Sequence, residues 1–153
     1  MTLFELMAVL AIMSIIAVAG TPFFINLMRD SDVHSAPIDF IKDLHKNKQE
    51  AINQSTSLYM YPINMTDDFQ GGWENYNNGV VTAREVPATV LISANTDIFG
   101  FKFSSNGKIY DAVTEIPLVE QTYTFCYSGD SSVQGRMVTI NALGKTTVQY
   151  VGC

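Results

Sequence analysis

The chain has 153 residues, with 9 Lys+Arg against 15 Asp+Glu and a net charge of −6 at pH 7. That length holds one domain plus an appendage and excludes a multidomain machine. The acidic balance speaks against nucleic acid as a partner, because affinity for phosphate rests on clustered Lys and Arg.

The charge is unevenly spread, and no charged residue occurs between Leu6 and Met28. As a helix, residues 6–25 reach about 30 Å, which matches the hydrocarbon core of a bilayer. A removable signal peptide is the competing reading. Against it, no basic residue precedes the run and no A-x-A cleavage site follows it. A core helix of a globular domain is a second alternative. The run is apolar around its whole circumference, however, and a membrane or a bundle of identical helices supplies neighbours on every side. The expectation is a hydrophobic anchor helix over 1–28 and a globular head over 29–153. Gly20 and Pro22 fall in the second half of the run, where a kink or locally weak segment is expected.

Beyond Arg29 the chain turns polar. Ser35, Ala36 and Pro37 read as a helix start, either separate from the anchor or continuous with it through a bend at Pro37. Ile38, Ile41, Leu44, Ala51 and Ile52 recur at roughly helical spacing, with Lys42, Asp43, Lys46 and Glu50 on the other face. This predicts a half-buried amphipathic helix to about Gln54.

Strands are predicted beyond Ser55. The first covers 58–61 and ends at Pro62, and a polar stretch over 67–78 follows, containing Gly71, Gly72 and Trp73. Short segments rich in β-branched and aromatic residues cover 86–92, 98–103, 122–127, 137–140 and 146–151. Asn106-Gly107, between Phe103 and Ile109, is a hairpin signal, and residues 142–145 are expected to turn the last two strands back on each other. One long N-terminal helix followed by antiparallel strands is an α+β architecture.

The two cysteines, Cys126 and the final residue Cys153, have no metal-binding spacing. A terminal Cys serves as a staple for an end that would otherwise fray. Bonding the two stabilises the fold by roughly 3.5 kcal/mol on the chain-entropy model and implies an oxidising compartment. His34 and His45 read as exposed helix residues rather than ligands. No G-x-S-x-G elbow is present, and nothing points to an enzyme or a cofactor. Asn53-Gln54-Ser55 and Asn64-Met65-Thr66 match the N-glycosylation pattern. Trp73 is read as a core residue beside a glycine turn in preference to a binding platform shared with Tyr76.

Met1-Thr2-Leu3-Phe4-Glu5-Leu6-Met7, followed by an uncharged helix with Gly20 and Pro22, resembles the start of a mature type IV pilin or type II secretion pseudopilin. The resemblance implies cleavage by a prepilin peptidase, an N-methylated Met1, and assembly through Met1 and Glu5. It implies other pilin subunits, the peptidase and inner-membrane assembly machinery as partners. The chain is then expected in the inner membrane before assembly and in an extracellular pilus or periplasmic pseudopilus after it. Glu5 has a physical rationale of its own. A carboxylate at the centre of a membrane helix costs about 2.5–3.5 kcal/mol, somewhat less towards the edge, so such a residue normally has a partner. The α-amino group of Met1 on an adjacent subunit is the nearest candidate, and two opposite charges about 4 Å apart attract by roughly 4 kcal/mol at an effective dielectric near 20.

A second similarity covers the head. Lys42-Asp43-Leu44-His45 through Glu50-Ala51-Ile52, Gly72-Trp73 with Gly79, Phe101-Lys102-Phe103 through Asn106-Gly107, and Gly135-Arg136 before the hairpin at Gly144 are similar to pilins of the GspH/FimT/FimU type. That similarity implies a helix packed on β-sheets. The similarity favours a minor subunit that primes or caps the filament, while the expectation leans slightly to a major or abundant subunit that builds the shaft. A DNA-uptake pilin is a third reading, opposed by the fact that only Arg136 and Lys145 are basic beyond residue 108.

Overall fold

The computed structural model describes residues 3–64, 69–95, 98–129 and 133–153, and the side chains of 19–23, 26 and 29 also lie outside the described residues. One helix, α1 (Leu3–Gln54), precedes nine strands. These are β1 (Leu58–Pro62), β2 (Gly72–Asn77), β3 (Val80–Glu85), β4 (Val90–Ala94), β5 (Phe101–Phe103), β6 (Ile109–Asp111), β7 (Gln121–Tyr127), β8 (Gly135–Ile140) and β9 (Thr146–Val151). The predicted α+β architecture is observed, with the strands sorted into two antiparallel sheets. One has the order β3-β2-β1-β5-β6 and the other β4-β7-β8-β9.

The helix does not restart at Ser35, because α1 carries helical backbone through Pro37. Proline there removes one backbone hydrogen bond, but Pro37 is buried on the packed face beside Ala36 and Phe40. The helix ends with Ser55 in the left-handed region (φ 52°), where Ser55 N–H donates to Ile52 O and Thr56 N–H to Ala51 O. This pair of bonds satisfies two of the last carbonyls.

The buried stripe of α1 differs from the predicted one. Val33, Ala36, Pro37, Phe40, Asp43, Leu44, Asn47 and Ala51 are buried at steps of one, three and four residues, whereas Ile38 and Ile52 are exposed. Phe40 is the wedge of the fold. Its ring meets Trp73 and Phe101 from the first sheet, Tyr123 and Phe125 from the second, and Phe69 from the intervening loop, at centroid distances of 5.1–6.1 Å. One side chain thus joins both sheets to the helix, and the edge-to-face geometry adds to its burial.

Three strand boundaries also move. The polar stretch over 67–78 contains β2, which pairs with β3 through a two-residue turn at Asn78-Gly79. Both turn residues have positive φ (45° and 84°), as a type I′ hairpin requires. The segment predicted over 86–92 starts its strand only at Val90, because Val90 N–H donates to Pro87 O and closes a turn first. In the segment predicted over 98–103, pairing is confined to Phe101–Phe103. Gly100 just before it has φ 147° and lies so close to β1 that a Cβ would sit 2.8 Å from Met60 O. The hairpin around Asn106-Gly107 and the turn before Lys145 are as expected.

Candidate assembly surface

Below residue 33 the helix leaves the sheets. Every described side chain from Leu3 to Val18 is exposed, and eleven of them are large and apolar, from Phe4 (81% exposed) to Val9 (47%). Fully burying one such side chain is worth about 1.5–3 kcal/mol. Half-burying the set is therefore comparable with the whole stability of a typical domain, about 5–15 kcal/mol. A surface of this kind has its natural partner in lipid or in other helices.

Glu5 is exposed on this projecting half, remote from the sheets. Met1 lies outside the described residues. The backbone is helical through Gly20 and Pro22, while their side chains lie outside the described residues. Among the described residues no helix is long and apolar enough to cross a membrane, and the predicted span over 6–25 includes the undescribed side chains of 19–23.

A polar clamp fixes the direction in which the helix projects. Asp43, predicted on the solvated face, is 94% buried in effect, with only 6% of its surface exposed. It accepts hydrogen bonds from Trp73 Nε1 (2.9 Å) and Arg84 Nε (2.7 Å), and Arg84 also reaches Asp39 at 3.3 Å. Burial pushes the Asp43 carboxyl up. The hydrogen bonds from Arg84 and Trp73, with the Arg84 charge and a further bond from Asn75, outweigh it and hold the group below the ordinary aspartate range. The clamp ties α1 to β2 and β3. On the other side His45 Nε2 lies 3.1 Å from Thr146 Oγ1, and Lys48 donates to Leu143 O, which ties α1 to the β8–β9 hairpin.

Cys126 and Cys153 are bonded, with Cα atoms 5.8 Å apart. The bond anchors the chain end, beyond β9, to β7 across β8. Gly135 makes room for it, since a Cβ there would sit 2.5 Å from Cys153 Sγ and 2.8 Å from Phe125 O. Among the described residues that were singled out from sequence as sites, the structure brings Cys126 and Cys153 together. The reading missed Phe40, the burial of Asp43 and the role of Arg84. Phe40, Asp43, Leu44 and Asn47 share one helical stripe, which was the available signal for the first two. Among the described residues no group of three or more His, Cys, Asp or Glu side chains could hold a metal ion.

No protein-family model and no curated protein matches the chain in sequence. Its fold does match solved structures. The type IV minor pilin FimU of Pseudomonas aeruginosa superposes with a TM-score of 0.59 at 20% identity, over 78% of this chain and 89% of that one. The fold is a pilin fold. A second crystal form of FimU gives 0.58 at 19% identity, over 76% and 91%. The minor pseudopilin EpsH from the type 2 secretion system of Vibrio cholerae gives 0.52 at 12% identity, over 75% and 96%. At these identities the pilin likeness is one of architecture, a long helix laid on antiparallel sheets.

Proposed function

We propose that this chain is a structural subunit of a type IV pilus or related filament and assembles through the projecting half of α1. The observation that carries the reading is the ring of exposed apolar side chains over 3–18, which no element of the chain covers among the described residues. In this reading 1–28 is the membrane anchor before assembly and the filament core after it, and 29–153 is the head. A prepilin peptidase generates the Met1 terminus, which is N-methylated. The Met1 amine of one subunit pairs with Glu5 of the next, and the segment around Gly20 and Pro22 is where the helix unwinds in the filament.

A major subunit, whose copies pack on one another, is the leading form of this reading. A minor subunit that primes or caps the filament is the second, supported by a minor pilin and a minor pseudopilin among the solved structures of like fold. The acidic head, with net charge −6 for the chain, favours protein partners over DNA.

The test is Glu5→Val in cells, followed by shearing and blotting of the sheared and membrane fractions. Glu5 is far from the sheets, so the head keeps its disulfide and its stability. The sheared fraction falls while membrane-bound chain accumulates. Normal incorporation of the variant overturns the pairing role, and absence of the wild-type chain from sheared filaments overturns the filament reading itself.

A further inference from the structure

We infer that the groove between α1 and β9 binds a carboxylate, supplied by an acidic side chain of a second copy of this chain. The inference rests on the reading that the chain polymerises.

Arg136 carries it. On β8 it shares the inward row with Val138 and Ile140, and only 9% of its surface is exposed. Arginine is rarely buried this deeply unless paired. Yet among the described residues no carboxylate or carbonyl accepts a hydrogen bond from its guanidinium. Its partner is the ring of Tyr150, which stands opposite it on β9, with the guanidinium carbon 3.6 Å from the ring centroid. Such stacking uses the face of the guanidinium. The five N–H donors lie in its plane and are left available to an incoming acceptor.

Arg84, the arginine of the clamp, shows the reverse. The Arg84 side chain is 39% exposed and reaches two carboxylates, Asp39 and Asp43. Burial raises the need for a counter-ion, so the more buried arginine should be the better paired. In the single chain it is not, so an anion that enters the groove meets a guanidinium fork that no carboxylate among the described residues already holds.

The groove has room for it. It encloses about 280 Å³ and is lined by His34, Pro37, Ile38, Arg136, Val148 and Tyr150. Val148 and Tyr150 lie opposite the inward-facing Val138 and Arg136, yet they stay 49% and 66% exposed. The edge strand β9 overhangs the helix and leaves a slot with apolar walls, Arg136 within it and His34 alongside. An Asp or Glu fits, with its methylenes on Ile38 and Val148 and its oxygens on the guanidinium fork. A nucleic-acid backbone needs a row of cations, and this groove offers Arg136 and His34 alone. The chain's own net charge of −6 makes another copy a complementary source. The slot also shares His34 and Ile38 with a shallow cleft that runs down α1 past Asp30 to Leu27, where the projecting half begins. It is thus continuous with the surface proposed for assembly.

The test uses the full-length chain in cells and reads its amount in sheared filaments. Thermal unfolding and disulfide formation of the detergent-solubilised chain report on the head. Arg136→Glu is expected to leave the head folded and to lower the sheared fraction by about tenfold or more, with a smaller loss for Arg136→Gln. Exposed acids such as Asp30, Glu85 and Glu120 are then changed one at a time to Lys in the Arg136→Glu background, together with the remaining Asp and Glu residues. Restoration by one of them identifies the partner carboxylate. Wild-type assembly of both Arg136 variants, or restoration by none of the reversals, overturns the inference while the filament reading stands. If Arg136→Glu fails to fold, Arg136→Gln with the same reversals decides. Loss of a DNA complex on Arg136→Gln, with assembly unchanged, assigns the arginine to nucleic acid and also overturns it. Wild-type chain absent from sheared filaments removes both readings together.

Discussion

The two halves of α1 are one continuous helix with opposite fates. From Val33 to Gln54 most of its apolar residues form a stripe that the two sheets cover, with Phe40 and Leu44 fully buried and Ile38 and Ile52 left outside it. From Leu3 to Val18 they occupy the whole circumference and are exposed. A stripe can be satisfied within one chain, because a sheet has one face to offer. A full apolar cylinder needs neighbours on all sides and has to find them in lipid or in other copies. The packed half therefore determines stability, and the projecting half is the surface proposed for association.

Substitutions separate the two. Phe40→Ala is expected to have the largest effect, a loss of about 3–5 kcal/mol in head stability, because a buried ring that joins both sheets leaves a cavity. Urea unfolding of the full chain in detergent, followed by Trp73 fluorescence, measures it. A loss below about 1 kcal/mol would mean that the sheets hold together without the wedge.

Cys153→Ser comes next. Its expected cost is about 3.5 kcal/mol for a bond that spans 27 residues. The same unfolding assay measures it, and hydrogen exchange should show the loss of protection concentrated in β9, an edge strand, rather than in the packed half of α1.

Asp43→Asn is expected to cost about 2 kcal/mol. It removes a charge-assisted pair, but the two-fifths exposure of Arg84 keeps the loss below that of a fully buried pair. The pH dependence has a definite sign. Asp43 has its folded-state pKa below the ordinary value of 3.8, so its contribution is complete above that value. It is lost as the pH falls through the folded value. Asp43→Asn should flatten this acid limb in unfolding curves taken from pH 6 downwards.

Ile12→Ala marks the other half of the comparison. Ile12 is 59% exposed and touches no sheet, so head stability should change by less than about 0.5 kcal/mol. Its amount in sheared filaments should fall, and a measurable drop in head stability would show that the two halves are coupled.

Much of this was legible because local pattern is enough for it. The absence of charge between Leu6 and Met28 announced the projecting half, and the Asn106-Gly107 hairpin and closing turn were read from turn residues alone. The hairpin at Asn78-Gly79 carried the same signal but sat in a polar stretch, where Glu74, Asn75 and Asn77 hid the strand. Its inward Asn75 and Asn47 bond to each other at 2.5 Å, so polar side chains were packed where apolar ones were expected.

The sequence by itself determined the long helix, most of the strands and the pairing of Cys126 with Cys153. Those follow from periodicity, turn chemistry and a cysteine count of two, all of which are local or arithmetical. Only the tertiary structure decided which helix face is buried, that Asp43 belongs to it, and that Arg84 rather than Arg136 receives a carboxylate. These depend on which strands pass over the helix and at what height. Sequence-distant partners such as Asp43 and Arg84 meet only where α1 is packed on the first sheet.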